Sequence, residues 1–90
     1  MGGNSRPWLM LSVSLSGSLR SAADDVESIQ IEAKTIRELM WKIVERYPRM
    51  SQHIDEGIAV AIDGEIFRDN WDKVIPVESE VYLLPRIPGG

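Results

Sequence analysis

In 90 residues the chain has no cysteine, one histidine and one phenylalanine. Without cysteine there is no disulfide framework, no zinc–thiolate site and no thiol nucleophile. The single histidine, His53, stands in a polar stretch with no obvious nucleophile beside it, which is a poor basis for acid–base chemistry. Basic residues number 10 against 14 acidic ones, for a net charge of −4. A phosphate backbone needs a basic stripe, so nucleic acid is not an expected partner, and three tryptophans on an acidic chain do not change that. A protein with a basic docking surface fits the charge better. No apolar run is long enough to cross a bilayer, so no membrane partner is expected. There is no Gly-rich phosphate loop, no nucleophile motif and no zinc-ligand spacing. Asp24-Asp25, Glu78 and Glu80 offer too few converging oxygens for calcium or magnesium and read as turn or solvated residues. No metal site and no free-standing hydrolase or oxidoreductase is expected.

Targeting signals are weak. Arg6 followed by Trp8–Val13 imitates the start of a signal peptide, and Ser21-Ala22-Ala23 imitates a cleavage site. Serine at every second position from Ser12 to Ser18 dilutes that apolar run and gives strand alternation instead. Met1-Gly2 resembles a myristoylation start, but Arg6 occupies the position that motif gives to Ser or Thr. A cytoplasmic protein is the expectation.

The patterning predicts one domain. Residues 1–7 read as a flexible polar arm, 8–85 as the folded unit and 86–90 as a flexible tail. Leu9, Leu11, Val13 and Leu15 alternate with polar residues, as do Ile29, Ile31 and Ala33. These two runs suit a hairpin with a long connection, the stretch from Ser21 to Asp25 being polar and turn-like. Thr35-Ile36-Arg37-Glu38 fits a capping box, in which each side chain satisfies the other residue's backbone N–H. Ile36, Leu39, Met40, Ile43, Val44 and Tyr47 then form one apolar helical stripe that Pro48 ends. Trp41 lies off the stripe and is expected to cover its edge or pack under a loop. Residues 49–57 read as a polar connection. Ile58, Val60 and Ile62 alternate up to Asp63-Gly64, a two-residue hairpin signal, and Ile66-Phe67 begins the return strand. Pro76 keeps Val74–Val77 out of a central strand. After a turn at Glu78-Ser79-Glu80, Val81–Leu84 forms the last strand, halted by Pro85. The chain ends in Gly89-Gly90. Glycine reaches conformations closed to other residues, so such a tail can thread a narrow channel and present its carboxylate. The pair Gly2-Gly3 shows that two glycines alone prove little.

The order strand, strand, helix, strand, strand, strand with a terminal Gly-Gly resembles the ubiquitin-like β-grasp fold, an α+β class with a mixed sheet packed on one main helix. Within it the chain is similar to the ThiS/MoaD sulfur carriers. The resemblance rests on the helix from Thr35-Ile36-Arg37-Glu38-Leu39 to Tyr47-Pro48, the hairpin strand Ile58–Gly64, and Glu80–Pro85 leading to Gly89-Gly90. Glu78-Ser79-Glu80 stands where that group often has Gly-Asp-Glu, and Arg86 where a second proline often follows, which leaves the pathway open.

The resemblance implies a carrier rather than an enzyme. It implies that the Gly90 carboxylate is adenylated by an E1-like partner, which uses ATP and magnesium, and is then converted to a thiocarboxylate that gives its sulfur to a synthase subunit. No cofactor is expected on the chain itself. Molybdopterin synthesis is the leading setting, with this chain as the small subunit of the synthase. Gly89 would permit close approach, and Pro85 and Pro88 would restrict the tail. Arg86, four residues from the end as in ubiquitin's tail, would pair with a partner carboxylate or stay solvated. Ile87 and Pro88 belong to the same partner-binding stretch. If Val81 and Leu83 point inward, Tyr82 and Leu84 face outward beside the tail as a docking patch; packing on both faces is the alternative. Two other functions stay open: a protein modifier conjugated through Gly90, and a plain β-grasp interaction module.

Overall fold

The structure, a computed structural model, describes residues 10–85. Five strands form one sheet in the order β2-β1-β5-β3-β4. The strands are β1 (Met10–Leu15), β2 (Ser28–Glu32), β3 (Ile58–Ile62), β4 (Glu65–Phe67) and β5 (Glu80–Pro85). β1 and β5 run parallel, and the β1–β2, β3–β5 and β3–β4 pairs are antiparallel. Helix α2 (Ile36–Arg46) carries the buried residues Ile36, Leu39, Met40 and Ile43, which join the buried side chains of the sheet in one core. This is the ubiquitin-like β-grasp arrangement implied by the sequence.

The alternation of the strands is what makes the core. Leu11, Val13, Leu15, Ile29, Ile31, Val60, Ile62, Val81 and Leu83 are all buried. Successive residues of a strand point to opposite faces, so every one of them lies on the helix side. Asp63 and Gly64 both have positive φ, at 50° and 91°. That geometry suits the twist of a two-residue hairpin and fixes Ala61 opposite Ile66. The Asp63 carboxylate also accepts the Glu80 N–H at 2.9 Å, which ties the turn to the start of β5.

Several expectations need correction. The stretch 49–57 holds a helix, α3 (Met50–Glu56), whose Met50 is fully buried. Ile54 packs partly buried against the core one turn later, and Gly57 ends the helix with φ 111°. The β1–β2 connection contains a short helix, α1 (Gly17–Arg20), then a 3-10 turn at Ser21–Ala23. Leu19, Ala22 and Ala23 are buried at helical spacing, and the chain then turns with positive φ at Asp24 and Asp25. Trp41 is not packed under a loop; it is 63% exposed. The helix cap is also asymmetric. Thr35 Oγ1 accepts the Glu38 N–H at 3.2 Å, but Glu38 Oε1 accepts the N–H of Lys34, at 2.7 Å, rather than that of Thr35. β2 ends at Glu32, one residue before the buried Ala33, and Leu9 lies outside the described residues.

Candidate functional site

β5 is the central strand of the sheet. Its residues alternate so that Val81 and Leu83 are buried while Tyr82 is 41% exposed and Leu84 half-buried. Tyr82 and Leu84 therefore lie on the outer face, away from α2. Their neighbours follow from the register. Tyr82 pairs with Ala61 of β3 and Ser14 of β1, and Leu84 pairs with Ala59. Beyond Ala61, on the edge strand, stands Ile66, which is 52% exposed. Tyr82, Leu84 and Ile66, with the methyl groups of the two alanines, make an apolar patch on that face.

Alternation alone identified Tyr82 and Leu84. The alanines and Ile66 were missed because they join the patch only through pairing between strands. The usable signal was Asp63-Gly64, since a two-residue turn sets the register of the whole hairpin.

Pro85 closes β5 opposite Ile58. Arg86, Ile87, Pro88, Gly89 and Gly90 lie outside the described residues. Beside Ile58 is an open depression of about 340 Å³ lined by Arg37, Ile54, Gly57, Arg68, Asp69 and Trp71. Arg37 stands over the Trp71 ring at 5.9 Å and pairs with Asp72 at 3.1 Å, so the indole and the loop around it are held by α2. A similar depression of about 330 Å³ includes His53, Arg49 and Gln52. Ser21 and Ser51 line the second depression too, and the Ser21 hydroxyl donates to the Ser18 carbonyl rather than to His53.

Among the described residues no group of three or more His, Asp or Glu could hold a metal ion. The Glu38 carboxyl is held below its ordinary range. Its hydrogen bond from the Lys34 backbone N–H lowers its pKa first, partial burial opposes this, and Lys42 at 3.4 Å adds to the lowering. This is a helix-start device, remote from the outer face. Asp24 pairs with Arg49 at 3.4 Å, and Glu78 takes a turn conformation with φ 65°. No helix among the described residues is long and apolar enough to cross a membrane.

The described residues thus hold one exposed apolar patch, carried by the strand that leads to the terminal residues. Solved structures of low sequence identity share the fold. A putative molybdopterin converting factor, subunit 1, from Pyrococcus furiosus has a TM-score of 0.74 at 20% identity, covering 88% of this chain and 99% of that one. A chain of the Amycolatopsis orientalis BexX/CysO complex gives 0.72 at 19%, covering 89% and 99%. SAMP1 from Haloferax volcanii gives 0.71 at 17%, covering 90% and 99%. No curated protein sequence matches the chain significantly. The ThiS family model matches residues 13–90, from the middle of β1 through Gly90, and the chain belongs to the ThiS family.

Proposed function

We propose that this chain is a sulfur carrier whose reacting group is the α-carboxylate of Gly90. The observation that carries the reading is the family match running unbroken through β5 to Gly90. A free α-carboxylate is ionised at neutral pH and is a poor electrophile, so it needs a leaving group before sulfur can enter. In the proposed sequence a carboxylate oxygen of Gly90 attacks the α-phosphorus of ATP on an E1-like adenylating enzyme, and pyrophosphate departs. Magnesium on that enzyme neutralises the phosphates. Sulfide, or the terminal sulfur of a persulfide reduced in a following thiol exchange, then attacks the acyl carbon. AMP leaves with the C–O bond electrons, and the product is a Gly90 thiocarboxylate. Its sulfur is the nucleophile in the reaction of an accepting synthase.

Every catalytic group in this scheme belongs to the partners. The chain contributes the carboxyl, the narrow Gly89-Gly90 tail and a place to dock. Tyr82 and Leu84 are the docking residues on the body of the protein, and Arg86, Ile87 and Pro88 those on the tail. We place this ATP-dependent chemistry in the cytoplasm. Likeness in fold to the molybdopterin converting factor favours molybdopterin as the acceptor pathway, with this chain as the small synthase subunit.

The test is to incubate the chain with ATP, magnesium, a sulfur donor and the E1-like enzyme of its own organism. Mass spectrometry of the intact protein should show one oxygen of the C-terminus replaced by sulfur. If the mass never changes under conditions that adenylate Gly90, the sulfur-carrier reading is wrong. A second reading, conjugation to lysines, is favoured by likeness in fold to a small archaeal modifier protein from Methanosarcina acetivorans, at 19% identity and a TM-score of 0.70. Gly-Gly remnants in isopeptide linkage on cellular proteins would select it.

A further inference from the structure

Pro85 pairs with Ile58, so the chain leaves β5 beside the first residue of β3. The open depression described above includes the same Ile58. It lies where several elements stop. α3 ends at Gly57, and the edge strand β4 stops at Phe67, opposite Val60. Ile58 and Ala59 therefore extend past the end of their edge partner. The lining has two characters. Ile54 and Trp71 are only partly buried against the core, and Arg37 holds the indole in place. Beside them stand Arg68 and Asp69, both exposed. The Arg37 guanidinium is already paired with Asp72, while among the described residues Arg68 has no ion-pair partner.

The chain itself carries an occupant of matching pattern. After Pro85 come Arg86, Ile87, Pro88, Gly89 and Gly90. In order these are a cation, an apolar pair, two residues without side chains and a carboxylate. The depression offers an anion in Asp69, apolar surface in Ile54 and Trp71, and a cation in Arg68. The reach is sufficient. Neighbouring strands lie about 4.8 Å apart, so the far side of β3 is roughly 10 Å from β5. Five extended residues span at most about 17 Å. Gly57, at the crossing, has no side chain to stand in the way. A short tether also holds the terminus at an effective concentration on the order of millimolar, so a contact too weak to bind a separate peptide still closes.

We propose that residues 86–90 fold back across Gly57 into this depression, with Ile87 and Pro88 against Ile54 and Trp71 and the Gly90 carboxylate on Arg68. The body of the protein then holds its own reacting terminus until a partner draws it out. The contact does not depend on what Gly90 carries. Its consequence rests on the sulfur-carrier reading: an adenylating enzyme can take the terminus only from the open form, so the closed fraction raises the KM for the carrier. Arg68 is a positioning residue in this arrangement and takes no part in the chemistry.

The first test needs no enzyme. The 15N-labelled full-length chain is compared by NMR with a chain truncated after Pro85 and with Arg68→Gln. Arg49→Gln, which removes the same charge at the opposite end of α3, is the control. Arg68 is exposed, so Arg68→Gln should fold as the parent does. Truncation should move the Trp71 indole N–H and Asp69 amide signals. Arg68→Gln should move the Gly89 and Gly90 amides toward random-coil positions, and added salt should do the same in the parent. In ATP–pyrophosphate exchange with the E1-like enzyme of its own organism, Arg68→Gln should lower the KM for the carrier about two- to fivefold at unchanged kcat. Trp71 and Asp69 signals unmoved by truncation, or Gly90 shifts of equal size with Arg49→Gln, overturn the proposal and leave the carrier reading in place. Signal changes that grow with protein concentration would give the seat to the tail of a second copy and overturn the intramolecular contact. The expected NMR shifts with an unchanged KM would overturn the restraint on activation. The same shifts with no exchange by the parent chain would overturn the carrier reading and leave the contact standing.

Discussion

At the start of α2 two side chains satisfy two backbone N–H groups, and a third balances the charge. Thr35 satisfies the Glu38 N–H, Glu38 satisfies the Lys34 N–H, and Lys42 sits one turn on to balance the carboxylate. Thr35→Ala should cost about 1 kcal/mol, read as a lower urea midpoint at unchanged m-value. Glu38 adds a pH dependence whose sign follows from its lowered pKa. A carboxylate held lower in the folded state than in the unfolded one stabilises the fold above its unfolded value, near 4.3. That contribution is lost as pH falls through the lower folded value. Glu38→Gln should therefore weaken the protein at neutral pH and narrow its difference from the parent in acid; urea titrations at several pH values would show it. Gly64 makes a different demand. At φ 91° a side chain is strained, but an added Cβ would meet nothing within 4 Å. Gly64→Ala should lower stability by about 1 kcal/mol through backbone strain alone, with the outer face unaltered in NMR spectra.

Elements show how local pattern and tertiary context divide the work. α2 was legible because its cap, its stripe from Ile36 to Tyr47 and Pro48 all agree. α3 was not, because only Met50 and Ile54 mark its buried side and five polar residues surround them. Burial of Met50 against the core decides for helix there. Met50→Ala should cost about 2–5 kcal/mol in chemical denaturation, and a loss near zero would contradict the packing described. α1 was hidden for a related reason: Leu19, Ala22 and Ala23 are few and small, and their spacing acquires meaning only beneath the core. Half of the candidate site, Tyr82 and Leu84, was legible from alternation. The other half, Ala59, Ala61 and Ile66, depends on which strands become neighbours, which no local pattern states. The edge strand β2 carries its own protection. Lys42 Nζ donates to the Glu32 carbonyl at 2.6 Å, and Arg46 donates to that of Gln30 at 3.0 Å, so two carbonyls on the open edge are already occupied by cations. Removing both cations should invite pairing between edges. The double variant Lys42→Ala, Arg46→Ala is expected to self-associate at concentrations where the parent is monodisperse by light scattering.

For the molecule as a whole, the proposed function divides the chain into a body that docks and a terminus that reacts. Deleting Gly89-Gly90 should leave the thermal midpoint unchanged, since the described core ends at Leu83, and abolish thiocarboxylate formation in the mass assay. Loss of function without loss of fold is the outcome that separates a carrier or modifier from a plain interaction module.

The sheet order carries a further consequence, for how the chain is made. Among the described residues β5 lies between β1 and β3 and is the strand that joins them. Until it emerges from the ribosome, the two hairpins share no ladder and their apolar faces have no common core. The sheet is completed by pairing the first strand with the last, a contact of long sequence separation that forms late. A nascent chain therefore cannot close its sheet before β5 has emerged, and one cut short ahead of Pro85 lacks a complete sheet. Synthesis in this order is a form of quality control: the residues that follow β5 are displayed only on a body that this strand has closed.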